Sequence, residues 1–121
     1  MRTRTRLLVA TGIAVAVVGP ASASVAGQNI GWTWNSGDRD VRSQFVADGD
    51  NFKAQEYHGN GYVDWSSAVN GSGRWFVPGS ATEATKTLNL ELTEGRTVST
   101  KVCEEKGGLP DDCSSTKSGV S

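Results

Sequence analysis

Apolar and polar residues alternate over much of the chain. Leu88, Leu90 and Leu92 alternate with Thr87, Asn89 and Glu91. Val98, Thr100 and Val102 alternate with Thr97, Ser99 and Lys101. Successive side chains of a strand point to opposite faces, so each apolar set lines one side of a sheet. Thr93-Glu94-Gly95-Arg96 separates the two runs, with a glycine where a hairpin demands positive φ. The stretch from Lys86 to Cys113 therefore predicts two strands joined by a tight turn, then a loop ending at the second cysteine.

The same reading extends backwards. Val41 to Ala47 predicts a strand, and Asp48-Gly49-Asp50-Asn51 a turn. In Phe52–Tyr57, Phe52 and Ala54 oppose Lys53, Gln55 and Tyr57. His58-Gly59-Asn60-Gly61 is a second turn, with the Asn-Gly pair favoured in two-residue hairpins. Tyr62 to Val69 places Val63, Trp65, Ser67 and Val69 on one face. Asn70-Gly71-Ser72-Gly73 turns again, Arg74 to Val77 makes a short strand, and Pro78-Gly79 stops it. Residues 80–85 read as a polar connection with at most one helical turn. Gly27 to Asp40 lacks a sustained period, although Trp32 and Trp34 share a face if extended. Six to eight short strands with glycine-rich turns, and no helical period after the first residues, predict an all-β fold. A small antiparallel β-sandwich is favoured, since each strand shows one apolar and one polar face.

The beginning of the chain is an address. Arg2, Arg4 and Arg6 precede the apolar run Leu7 to Val18, Gly19-Pro20 breaks it, and Ala21-Ser22-Ala23 supplies small residues for cleavage. Ser24-Val25-Ala26 offers a second site. The run is short of the roughly 20 apolar residues that span a bilayer, so a stable membrane anchor is not expected. The expected organisation is a signal peptide at 1–23, an irregular segment at 24–40, a sandwich domain at 41–115 and a flexible tail at 116–121. The protein is expected to be secreted and extracellular.

Removing the leader changes the charge. Three of the twelve basic residues leave with it, so nine Lys and Arg face thirteen Asp and Glu, a formal net of −4. Nucleic acid and anionic membrane surfaces are poor partners for such a chain. The two cysteines have only each other, and an exported protein pairs them, giving a Cys103–Cys113 disulfide. Cys103 follows Val102 and so lies on the face opposite the valines. The bridge is expected off the core, clamping the last hairpin.

Candidate chemistry is sparse. His58, the single histidine, sits in a turn and lacks the partners of a triad or a zinc site. The carboxylates obey no spacing rule for glycoside hydrolysis. Asp48-Gly49-Asp50-Asn51 lacks the spaced ligands and distal Glu of an EF-hand. No catalytic residue, metal or cofactor is expected. The four tryptophans are the sharper signal. Trp65 and Trp75 flank one turn and are expected in the core. Either all four tryptophans bury against one another in a small core, or Trp32, Trp34, Tyr57 and Tyr62 form a binding patch, because flat apolar rings stack on sugars and anchor protein contacts; these four are the candidate binding residues.

The order DGDNFKAQEY, GYVDW and LTEGRTVSTKVCE, with Glu94-Gly95, Val98 and Val102-Cys103 in a late strand, resembles small secreted β-rich proteins of actinobacteria. The resemblance covers roughly Val41 to Cys113 and implies an exported β-domain. That group has no assigned activity, so no functional residue is carried over. The expected function is non-enzymatic binding of an extracellular polysaccharide or protein. The alternative is an enzyme inhibitor presenting Gly107-Gly108-Leu109-Pro110 from the Cys103–Cys113 loop, which a disulfide would pre-order.

Overall fold

The computed structural model describes residues 27–78 and 84–121. The expected leader and residues 79–83, where the expected 80–85 connection begins, lie outside that range. Among the described residues, nine strands form two antiparallel sheets. The first sheet contains β1 (Ile30–Trp34), β2 (Val41–Val46), β3 (Asn51–Glu56) and β6 (Lys86–Asn89), in the order β1-β2-β3-β6. The second contains β4 (Gly61–Ser67), β5 (Gly71–Phe76), β7 (Thr97–Glu104), β8 (Asp112–Cys113) and β9 (Lys117–Val120). Its order is β5-β4-β7, and β8 and β9 together cover the far side of β7.

The expected sandwich is present, and strand parity decides which residues fill it. Val41, Ser43 and Phe45 on β2 and Phe52, Ala54 and Glu56 on β3 are buried, while Arg42, Gln44, Lys53 and Gln55 between them are half-exposed. Val63, Val98 and Val102 face them from the second sheet and are completely buried. Phe45 and Phe52, paired across β2 and β3, pack with ring centroids 5.0 Å apart. Leu88, Leu90, Trp65 and Trp75 are partly buried against this cluster, and Leu92 is buried within it. A core of this kind, apolar from both inner faces, is the principal stabilising element of a sandwich.

Four sequence expectations change. The turn around Gly95 does have positive φ (73°), but it is not a hairpin: β6 pairs with β3, β7 with β4, and the connection crosses between sheets. Asn60-Gly61 is likewise a corner between sheets rather than a hairpin turn. Gly59 and Asn60 have φ of 87° and 65°, and the Asn60 and Gly61 carbonyls accept from Glu105 N and Val77 N at 3.0 and 2.9 Å. The end of the chain, expected to be a flexible tail, forms β9 on β7, and Ser121 is fully buried. The Ser121 carbonyl accepts from Gly95 N (2.7 Å), and its hydroxyl donates to Thr93 O (2.6 Å), which ties the Gly95 corner down.

The segment expected to be irregular also carries a strand. β1 pairs with β2, but its register slips by one residue between Ile30 and Thr33. Ile30, Trp32 and Trp34 would share a face in an unbroken strand. The slip between Ile30 and Thr33 lets Ile30 enter the core while the tryptophans face outward.

Cys103 and Cys113 are bonded, and they sit directly opposite each other on β7 and β8. As parity predicts, Cys103 is on the outer side of its sheet, facing away from Val102. It is nonetheless buried, beside its register partner Tyr62. Among the described residues, no helix is long and apolar enough to cross a membrane.

Candidate functional site

The outward face of the first sheet gathers three of the four aromatic residues singled out by sequence. Trp34 is in register with Arg42, and the alternation of β2 turns Arg42 outward between buried Val41 and Ser43. The Arg42 guanidinium lies 4.4 Å from the Trp32 ring centroid and 5.2 Å from that of Trp34. Trp34 and Tyr57 approach to 5.7 Å with their planes tilted by 34°. Trp32 is the most open member, 37% exposed; Trp34 and Tyr57 are half-buried. Cation–π contact holds each indole against the guanidinium and leaves ring edges and the remaining surface of Trp32 to solvent.

Gln55 braces this arrangement from β3. Its Oε1 accepts from Arg42 Nε at 2.7 Å and from the Tyr57 hydroxyl at 3.3 Å, and its Nε2 donates to Thr85 Oγ1 at 2.9 Å. One amide thus fixes an arginine, a phenol and the chain leading into β6. The remaining outward residues of the strands are Gln44, Val46, Asn51, Lys53, Thr87 and Asn89. No outward residue of these four strands is a carboxylate.

Tyr62 stands apart. It belongs to β4 in the other sheet and is 2% exposed. Arg74 covers its ring at 4.1 Å, Phe76 packs at 5.6 Å, and its hydroxyl donates to Asp111 Oδ2. Burial, then that bond, push the phenol up to about 12. Tyr62 is a support for the disulfide-closed loop and no part of the aromatic face. Sequence reasoning missed Arg42 and Gln55. Their signal was positional: both are polar residues in the outward register of strands whose neighbours are aromatic.

A second polar cluster closes one end of the sandwich. Asp38, Glu104 and Asp112 bring carboxylate oxygens within 4.8 Å of one another. The Lys106 ammonium binds Asp38 and lies 3.4 Å from Glu104 and 4.0 Å from Asp40. Asn35 donates to Asp112 (2.9 Å) and Glu104 (3.4 Å), and its Oδ1 accepts from Asp40 N and Val41 N at 2.9 and 3.2 Å. Lys106 brings one positive charge to Asp38, Glu104 and Asp40. The hydrogen bond to Lys106, then its charge, hold Asp38 below its ordinary range, whereas burial pushes Glu104 up. The cluster is a clasp between β1, β7 and β8. His58, whose side chain is 67% exposed, sits at its rim, 3.2 Å from Asp40.

The loop inside the disulfide presents Leu109, 69% exposed. Trp65 and Trp75 pack on the core, and Gly73 makes room for Trp65: a Cβ there would lie 2.9 Å from its indole. No family model, no curated protein and no solved structure matches this chain.

Proposed function

We propose that the protein is an exported, non-enzymatic carbohydrate-binding domain, and that the outward face of the β1-β2-β3-β6 sheet is its binding surface. The observation that carries this reading is the composition of that face. Aromatic rings at Trp32, Trp34 and Tyr57 border a flat field of amides and hydroxyls from Gln44, Asn51, Asn89 and Thr87. Sugar rings present apolar C–H faces and equatorial hydroxyls, which such a surface meets by stacking and by hydrogen bonds. The braces from Gln55 and Arg42 order the aromatics before a ligand arrives, so little side-chain entropy remains to be lost. Export is supported by the basic–apolar–small pattern of the first residues and by the closed disulfide, a bond typical of oxidising compartments.

Co-sedimentation with insoluble cellulose, chitin and isolated cell wall, together with gel retardation in soluble polysaccharides, tests the proposal. Binding to at least one glycan, lost in Trp32→Ala, is expected. Absence of retention on every glycan overturns it.

The inhibitor reading has one observation in its favour, the exposure of Leu109 on a loop closed by Cys103–Cys113. It requires inhibition of a hydrolase that Leu109→Ala removes.

A further inference from the structure

We infer that the glycan this face takes is acidic: a polymer of carboxylated sugars, read by Arg42 with Lys53 in support. The inference rests on the carbohydrate-binding reading and specifies its ligand class.

The Arg42 side chain makes one hydrogen bond among the described residues, from Nε to Gln55 Oε1. It takes part in no ion pair there, although the chain carries an excess of acid. Among the described residues its two terminal nitrogens have no partner, while its guanidinium carbon lies 4.4 Å from the Trp32 ring centroid and 5.2 Å from that of Trp34. A guanidinium held in this way presents a rigid fork that matches a carboxylate bidentately. Lys53 is the other cation on the strands' outer face. It lies opposite Gln44, diagonal to Arg42 across β2 and β3. Diagonal neighbours are about 7–8 Å apart at Cα, a separation that long side chains bridge easily.

Charge complementarity selects the occupant. The outward residues of the four strands include two cations and no carboxylate. Six acids of the described residues are held elsewhere: Asp38, Asp40, Glu104 and Asp112 in the cluster beside Lys106, Asp111 at Tyr62, and Asp64 on Arg74. Asp40, the acid that directly precedes β2, is 8% exposed and directed at Lys106 and His58. A neutral glycan would leave the Arg42 fork to water. A uronic acid fills it, with the sugar ring lying along Trp32. Two cations are far too few for a nucleic-acid track, which neutralises many phosphates.

Affinity electrophoresis in gels holding polygalacturonate, its methyl ester, alginate, or neutral hydroxyethylcellulose separates the possibilities. The acid and the ester share one backbone and differ in charge. The wild-type protein is expected to be retarded by polygalacturonate or alginate at least tenfold more strongly than by the ester, with retardation weakening as salt rises. Arg42→Gln and Arg42→Lys are both expected to lose the preference, the second because it keeps the charge and lacks the fork. Lys53→Gln, at a half-exposed site on the outward face of β3, is expected to weaken acid binding severalfold with unchanged unfolding, which covers the case in which an Arg42 variant disturbs the fold. Equal retardation by acid and ester, or a preference untouched by Arg42→Lys and Lys53→Gln, overturns the inference. Retardation by neutral glycans alone, abolished by Trp32→Ala, keeps the carbohydrate reading and removes this one. No retardation in any gel removes both.

Discussion

Gln55 holds Arg42 by its Nε, 2.7 Å away, and by doing so decides which donors of the arginine face solvent. The guanidinium cannot rotate about its own axis without breaking that bond or leaving the two indoles. Replacing Gln55 by Leu is expected to cost about 1 kcal/mol of stability for the lost hydrogen bonds, measured by urea unfolding. It is expected to cost more in glycan affinity, because Arg42, Tyr57 and Thr85 lose their common partner.

Glu56 gives a pH signature. Its Oε1 accepts from Gly61 N, while Oε2 is buried without a partner among the described residues. Burial pushes its pKa above the ordinary 4.5. A carboxyl raised on folding stabilises the fold below its unfolded pKa, and that contribution is lost as pH rises through the folded value. Glu104 shifts in the same direction. Glu56→Gln keeps an oxygen for Gly61 and removes one titration. Its stability relative to the wild type is expected to improve steadily as pH rises above 4.5, read from denaturant midpoints at several pH values. A constant difference would contradict this.

Gly119 tests the seam between β9 and the chain before β1. Gln28 and Val120 exchange backbone hydrogen bonds of 2.8 and 3.0 Å beside it. A Cβ at Gly119 would meet Gln28 O at 2.4 Å and Ile30 Cγ1 at 2.8 Å. Gly119→Ala is expected to destabilise by about 1–3 kcal/mol. Gly107→Ala, with open space around it and no positive φ, is expected to be near neutral in the same thermal scan.

The disulfide should act on stability far more than on binding. Replacing Cys103 and Cys113 by Ser opens a loop with a sequence separation of 10. The expected cost is about 2–3 kcal/mol, with added fraying at Asp111 and Asp112, which the loop delivers to Tyr62 and to Asn35. Glycan retention should survive at temperatures where the variant is folded, since the aromatic face is on the other sheet. Loss of retention in a demonstrably folded variant would contradict the placement of the site.

What could be read in advance was set by alternation. Phe52 and Ala54 against Lys53 and Gln55, or Val98 and Val102 against Ser99 and Lys101, place each residue on its face whatever the strand pairs with. Pairing was harder. Asn60-Gly61 and Gly95 carry hairpin residues, and the positive φ values are there, yet both sites turn the chain into the opposite sheet. A turn residue specifies local backbone shape, and the partner of the following strand depends on distant neighbours such as Val77, Glu105 and Ser121. The aromatic face was half legible. Trp32, Trp34 and Tyr57 were named from residue type, but Arg42 joins them only through the β1–β2 register, and that register contains a slip between Ile30 and Thr33. Tyr62 fell to the same difficulty: its parity was plain, but not that Arg74, Phe76 and Asp111 would enclose it.

The corners have a kinetic consequence. β1, β2 and β3 lie in one sheet, β4 and β5 in the other, β6 returns to the first, and β7, β8 and β9 complete the second. Neither sheet is a continuous piece of chain. During synthesis the first sheet waits for β6, and β4 stays open along one side until β7 emerges. Closure over such separations is slow, because loop entropy is lost before the pairing compensates. The molecule should therefore fold late and in one cooperative step, and no fragment ending before β9 should display a working face.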